Sequence, residues 1–167
     1  AVFYLQKILK EEGIASKCLA KKENRGNLVA KLEGGNKPPL LLLSHLDVVS
    51  AKEDWDYPPF SAQEVNGDIW GRGTLDTKQL TVMELIAFIL LNRHLKSLNR
   101  DVYIIASADE ENGSKFGMKF LSENYPEYTT PDTVINESGG FPIETEQGDM
   151  LLCSFGEKGA CKVKLTS

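Results

Sequence analysis

Apolar residues recur along the chain at two spacings, one typical of helices and one typical of strands. Over Val2–Leu9 they return every three or four residues, which predicts an amphipathic helix that ends near Gly13. Leu40–Ser44 opens with consecutive leucines and predicts a strand buried on both faces. Helical spacing over Thr77–Leu98 predicts a long core helix.

Shorter apolar stretches predict the rest of a sheet. Leu28–Leu32 alternates weakly between apolar and polar residues, and Val102–Ala106 is an apolar run. Asp132–Asn136 and Met150–Phe155 predict two further strands, and Lys115–Glu123 predicts a short helix. Because strands alternate with helices, the pattern indicates an α/β layered domain with a largely parallel sheet.

Two polar stretches are predicted as loops. Lys21–Asn27 precedes the weak strand, and Ser50–Asn66 combines acids, prolines and aromatic residues around Trp55. A loop as long as Ser50–Asn66 inside a compact domain usually has a function, such as binding.

Composition narrows the class of protein. The 167 residues are 41% hydrophobic and 26% charged, with 19 basic and 24 acidic residues and a formal charge of −5. A mildly acidic chain lacks the basic surface that binds nucleic acid or anionic lipid. The longest apolar run, Leu85–Leu91, is far shorter than the roughly 20 residues of a membrane span. We therefore expect no nucleic-acid or membrane partner.

The cysteines and the chain ends suggest the cellular context. Cys18, Cys153 and Cys161 form an odd set without CxxC spacing, which indicates free thiols in a reducing compartment. No secretory leader is visible, so we expect a cytoplasmic protein. The chain starts at Ala1, and the alternation over Cys161–Ser167 is typical of an interrupted strand, so we expect a piece of a longer protein.

Acidic residues and one histidine follow the predicted strands or begin the long helix. They are His45, Asp47, Asp76, Glu110, Glu111 and Glu137. Ligands of open α/β sheets bind beyond the carboxyl ends of the strands, so we expect these side chains at one edge. Crowded acids raise one another's pKa, and a cation removes that cost. One imidazole with several carboxylates fits zinc, or a harder ion such as manganese or cobalt.

Each residue has a simpler interpretation when it is taken alone. A single acid is more often a solvated loop residue, and His45 can be a satisfied core histidine. Asp47 lies two residues further along extended chain and faces the same way as His45, so it is a candidate to fix one imidazole tautomer. In extended chain Glu110 and Glu111 point apart, so one can bind metal while the other works across a bound water. His94, near the end of the long helix, is interpreted as structural.

Four ordered motifs resemble those of a known enzyme family. They are Leu-Ser-His45-Leu-Asp47-Val-Val, Trp70-Gly-Arg-Gly-Thr-Leu-Asp76-Thr-Lys78, Ala108-Asp-Glu110-Glu111 and Asn136-Glu137-Ser-Gly. The series resembles the di-zinc metallopeptidases and deacylases that include aminoacylase, carboxypeptidase G, acetylornithine deacetylase and succinyl-diaminopimelate desuccinylase. The resemblance implies a zinc-exopeptidase-like three-layer α/β/α sandwich with a largely parallel, mixed central sheet, here incomplete. Residues 1–157 would be the N-terminal part of the catalytic domain, and residues 158–167 the start of a truncated lid and dimerisation domain.

The resemblance also implies a site with two divalent metal ions, zinc first, with cobalt or manganese as alternatives. His45 and Glu137 would bind the first metal, Glu111 the second, and Asp76 would bridge both. Glu110 would be the general base and deliver the proton to the leaving nitrogen, and Asp47 would orient His45.

The implied substrate is an N-acyl amino acid or a short peptide, hydrolysed at its amide bond. In this family a downstream histidine completes the second metal site, and an inserted lid supplies a further histidine and the dimer contact. Both histidines are absent here, so we expect the chain alone to be inactive and the whole protein to be a homodimer. Two alternatives stay open: a non-catalytic metal- or protein-binding relative, and a related di-zinc aminopeptidase. The presence of Glu110, whose role in the family is proton transfer, favours the enzyme.

Overall fold

A five-stranded sheet forms the centre of the first of two compact units, Ala1–Glu137 and Ser138–Ser167. The computed structural model describes residues 1–52, 54–94, 97–137, 140 and 142–152. In spatial order the strands are β1 (Ser16–Ala20), β2 (Gly26–Leu32), β6 (Arg100–Ser107), β3 (Lys37–His45) and β7 (Thr133–Ile135). The pairs β1–β2 and β2–β6 are antiparallel, whereas β6–β3 and β3–β7 are parallel. The mixed sheet agrees with the predicted fold class.

Helices cover both faces of this sheet. Alternate strand residues point to opposite faces, so Leu42 packs with helices α1 (Val2–Glu11) and α2 (Gln79–His94) on one side. Its neighbour Leu41 packs with α3 on the other side. Helix α3 is Met118–Asn124, and α4, Pro126–Thr129, follows it directly. The result is the predicted arrangement of helix, sheet and helix.

Helix α2 is less buried than its sequence suggests. The apolar pattern predicted a core helix over Thr77–Leu98, but the structure has helix from Gln79 to His94. One face carries the buried residues Leu85 and Phe88. Another face leaves Met83 and Ile86 more than half exposed, at 56% and 51%. A helix that is apolar all round therefore buries one side against the sheet in the described part of the chain.

The hydrophobic pattern missed one short hairpin and predicted only part of a strand of another. Strands β4 (Gln63–Val65) and β5 (Asp68–Trp70) pair across a turn at Asn66 and Gly67, both with positive φ. This hairpin begins inside the stretch predicted as a loop, and its Asn-Gly dipeptide is a strong turn signal that could have indicated it. In the second unit β8 (Pro142–Thr145) pairs with β9 (Gly148–Leu151).

Some predicted elements differ in extent or fall elsewhere. Strand β1 and helix α4 were not predicted, because neither has a clear apolar period. The predicted strand Met150–Phe155 overlaps β9 only up to Leu151, since residues from 153 onward lie outside the described part. The predicted strand Cys161–Ser167 and the lid segment 158–167 also lie outside it. No helix in the described ranges is both long and apolar enough to cross a membrane.

Candidate metal centre

His45 is the last residue of β3 and stands beside Ser107 at the carboxyl end of β6. Its side chain is only 2% exposed. The ring Nδ1 lies 3.0 Å from the main-chain carbonyl oxygen of Asp47, and an N–H at that nitrogen donates to it. This hydrogen bond favours the tautomer that leaves the Nε2 lone pair free. From α2, the Thr81 hydroxyl donates to the carbonyl of His45 at 3.4 Å.

Carboxylate oxygens surround the free Nε2 atom. Asp76 Oδ1 lies 3.1 Å away, Glu137 Oε2 3.5 Å and Glu110 Oε2 3.9 Å. Two sets of donor atoms lie within 4.8 Å of one another: His45 with Asp76 and Glu111, and His45 with Glu110 and Glu137. The sheet edge thus gathers nitrogen and oxygen donors from separate segments.

The charges of this cluster need a positive partner. Burial alone lowers the pKa of His45, but the Asp47 carbonyl and the carboxylates of Glu137 and Glu110 outweigh it, and the pKa rises. The pKa of Glu110 is also raised, mainly by burial and then by the neighbouring acids against the opposing effect of His45. A nitrogen lone pair that faces carboxylates repels them unless a proton or a cation lies between. One imidazole and several carboxylates are a donor set that divalent zinc, cobalt or manganese accepts.

Asp76 reaches the cluster from an irregular turn rather than from a helix. The turn Thr74–Lys78 has non-helical backbone angles at Asp76, and the peptide bond from Asp76 to Thr77 is cis. Gly73 precedes it with φ +83°, and a Cβ there would lie 2.4 Å from Val48 Cγ1. Glycine is therefore required at this point.

Lys78 closes the same turn. Its Nζ donates to the main-chain carbonyl of Leu46 at 3.1 Å, and Leu46 directly follows His45 at the end of β3. Burial lowers the pKa of Lys78, and the nearby Asp47 carboxylate acts in the opposite direction. The ammonium thus ties the Asp76 turn to the end of β3.

The acid pair lies in a 3-10 turn, Glu110–Asn112, and not in extended chain as expected. Asp109, with φ +66°, starts this turn. The main-chain N–H groups of Glu110 and Glu111 donate to the two carboxylate oxygens of Asp47, at 3.0 Å and 3.2 Å. Asp47 therefore contacts His45 chiefly through its own main-chain carbonyl, while its carboxylate holds the turn. The nearest Asp47 carboxylate oxygen is 3.7 Å from His45 Nδ1.

All six predicted site residues lie in this one cluster. The resemblance puts Asp76 with Glu137 on one metal and with Glu111 on the other. In the structure Asp76 and Glu111 share a donor set with His45, and Glu110 and Glu137 share another with His45. His94, interpreted as structural, belongs to neither donor set of the described residues.

Sequence reasoning missed a buried amide behind the acid pair. Asn27 was predicted as the end of a polar loop, but it lies in β2 and is fully buried. Its side chain hydrogen-bonds the segment that carries Glu110 and Glu111. The available signal was a polar residue directly before the predicted strand Leu28–Leu32.

A mixed sheet between helices, with an imidazole and several carboxylates at its carboxyl edge, is an architecture suited to an α/β metallohydrolase. The sequence model of peptidase family M20/M25/M40 matches residues 41–153, and the chain belongs to this family. The family comprises metal-dependent hydrolases that act on amide and peptide bonds.

Individual relatives are consistent with this assignment. A probable succinyl-diaminopimelate desuccinylase of Staphylococcus aureus is 36% identical over 166 residues, which are 98% of this chain and 39% of the relative. An N-fatty-acyl-amino acid synthase/hydrolase of Danio rerio is 45% identical over 87 residues, 50% of this chain and 17% of the relative. The chain thus spans about two-fifths of the length of the desuccinylase.

Solved structures agree with the fold. An M20 family metallo-carboxypeptidase from Sulfolobus solfataricus matches with a TM-score of 0.69 and 27% identity, over 83% of this chain and 32% of that one. Human carnosine dipeptidase 1 matches with a TM-score of 0.65 and 19% identity, over 81% and 31% of the two chains, and shows the shared fold. The predicted family and fold class are confirmed.

Proposed function

We propose that residues 1–157 form the N-terminal part of the catalytic domain of a metal-dependent amidohydrolase. Its substrate would be an N-acyl amino acid or a short peptide, cleaved at the amide bond. One observation carries the proposal: separate segments bring carboxylates to the free Nε2 atom of a buried histidine. The names of the relatives, a desuccinylase and a dipeptidase, favour substrates of this size.

The proposed site holds two divalent cations, zinc first, with cobalt or manganese as alternatives. His45 and Glu137 would bind one, Glu111 the other, and Asp76 both. When bound, the cations would make a water molecule more acidic and stabilise the oxyanion of the attacked carbonyl. The Nδ1 hydrogen bond of His45 supports this role, because it leaves Nε2 to face the carboxylates.

Glu110 is the proposed general base. Its side chain is 47% exposed, so substrate and water can reach it, and its carboxylate lies 3.9 Å from His45 Nε2. Its pKa, raised mainly by burial, brings it nearer to the working range of a base. Glu110 would take a proton from the attacking water and deliver it to the leaving nitrogen.

Asp47 is a proposed positioning residue for both sides of the site. Its carbonyl fixes the His45 tautomer, and its carboxylate holds the amides of Glu110 and Glu111. The Asp47 side chain is only 14% exposed, so most of it is shielded from solvent.

Other expectations from the family resemblance complete the proposal. The whole protein would be a homodimer through a lid domain that begins near residue 158, and this chain alone would not turn over substrate. A cytoplasmic location belongs to the same proposal, and free thiols in a reducing compartment would agree with it. Cys18 is a free thiol in the structure.

The test is hydrolysis by the full-length protein that carries this chain, assayed with N-acyl amino acids and dipeptides. Glu110→Gln should keep wild-type metal content and lose at least 10²-fold in kcat, because a general base contributes roughly that much or more. Glu123→Gln, an exposed acid of α3, is the matched control and should keep full activity. Loss of metal in Glu110→Gln would refute the assignment as base, and metal binding without turnover in the wild type would indicate a non-catalytic relative.

A further inference from the structure

The side chain of Asn27 makes three hydrogen bonds in the interior. Its Nδ2 donates to the carbonyls of Leu19 and Phe116, both at 2.9 Å. Its Oδ1 accepts the main-chain N–H of Ala108 at 2.8 Å. Asn27 is fully buried, so each of these groups would lose a hydrogen-bond partner if the amide were removed.

These bonds close the two ends of one segment, residues 108–116. Ala108 is the first residue after β6 leaves the sheet, and Asn27 supplies the acceptor that a neighbouring strand would otherwise provide. Phe116 ends the segment, and its own N–H donates to the Asp109 carboxylate at 3.1 Å. The Asn27 amide thus joins the start and the end of the segment to β2 and β1.

The acid pair lies inside this segment, in the turn Glu110–Asn112. Asp47 holds the turn from the site side through the N–H groups of Glu110 and Glu111. Asn27 holds the two ends of the segment that carries the turn, at Ala108 and Phe116. Two independent attachments therefore fix where the two carboxylates stand relative to His45.

We propose that Asn27 is a positioning residue of the metal centre, which sets the placement of Glu110 and Glu111 through the ends of the segment 108–116. This inference rests on the proposed function. The residue touches neither metal nor substrate. Its effect is on the order of the 10- to 100-fold change in metal affinity that partners outside the ligand shell commonly produce.

The test compares Asn27→Ala and Asn27→Ser with Leu9→Ala in the full-length protein that carries this chain. Leu9 is equally buried, in α1, and its side chain makes none of the segment's hydrogen bonds. Zn²⁺ affinity is measured by competition with a chromogenic chelator, and order in the segment by hydrogen–deuterium exchange of its amides. All three variants should melt at lower temperature than the wild type. Only the Asn27 variants should bind Zn²⁺ more weakly, by about 10-fold or more, and only in them should the amides of residues 108–116 exchange faster.

If Asn27 had only a structural role, its variants would melt at lower temperature but match Leu9→Ala in Zn²⁺ affinity and in amide exchange. That result would overturn the inference. If Asn27→Ala does not fold, Asn27→Ser, which keeps a hydroxyl in the pocket, decides by the same criteria. Glu111→Gln in the same titration tests the proposed metal ligand separately from the positioning role of Asn27. If it binds as much Zn²⁺ as the full-length wild type, and as tightly, Glu111 is not a ligand and the proposed second metal position fails. Amide exchange then decides alone: faster exchange in the Asn27 variants supports its hold on the segment, and unchanged exchange refutes it.

Discussion

Glu84 offers a sharp test of how the sheet packs against α2. It lies on the buried face of that helix and is only 4% exposed. Neither carboxylate oxygen has a hydrogen-bond partner of acceptable geometry among the described residues. Burial raises the pKa of Glu84 to about 7, although the Ser44 hydroxyl and the main chain of Leu43 lie near enough to favour the charged form.

The raised pKa makes stability depend on pH. A carboxyl whose pKa is 4.5 in the unfolded chain and about 7 in the fold binds its proton more tightly when folded. Its contribution is therefore intact below pH 4.5 and is lost as the pH rises towards 7. Each pKa unit corresponds to roughly 1.4 kcal/mol, so charging Glu84 in the fold costs on the order of 3 kcal/mol.

The perturbation is Glu84→Gln, which keeps the shape and removes the charge. Urea unfolding of the wild type and the variant between pH 5 and pH 8.5 gives the difference in free energy of unfolding. Between these two pH values the free energy of unfolding of the variant should rise by about 2.5 kcal/mol relative to that of the wild type. Other titrating groups cancel in the difference. A difference that stays constant with pH would refute the buried, unpartnered placement of this carboxyl.

Two further substitutions test the site and the segment that supports it. Asp76→Ala should weaken Zn²⁺, Co²⁺ and Mn²⁺ binding at both proposed positions, because Asp76 is the proposed bridge; in calorimetric titration of the full-length protein, retention of one tight site would contradict that role. Gly117→Ala should destabilise the fold by several kcal/mol or prevent folding, since a Cβ there would lie 1.8 Å from the Ala108 carbonyl oxygen. Thermal unfolding measures this loss of stability. Gly148→Ala is the control: φ is +108° there, but no atom lies within 4 Å of the added Cβ, so this variant should lose less stability.

Elements with a long apolar period were predictable from the sequence. The leucine run of β3 and the apolar run of β6 have no polar interruption, and such runs predict strands that are buried on both faces. The start of α2 was not predictable to the residue, because the backbone departs from helical geometry at Asp76 and Thr77, and the apolar spacing carries no sign of that departure.

The gathering of the site was predictable, while its internal geometry was not. His45, Glu110, Glu111 and Glu137 follow strands whose carboxyl ends share one edge, so topology brings them together, and Asp76 joins them from the turn before α2. Whether Asp47 meets His45 by carboxylate or by carbonyl depends on a turn sixty residues away, whose amides attract the carboxylate. The roles of Asn27 and Glu84 depend on burial, which residue type and local spacing did not reveal.

The most direct measurement of the central claim is Zn²⁺ affinity of this chain beside two single-histidine variants. The chain has two histidines: His45, buried among carboxylates, and His94, exposed at the end of α2. The account predicts that His94→Ala binds Zn²⁺ like the wild type and that His45→Ala loses binding by at least 10-fold. Equal binding by His45→Ala and the wild type would contradict a metal centre at the carboxyl end of β3.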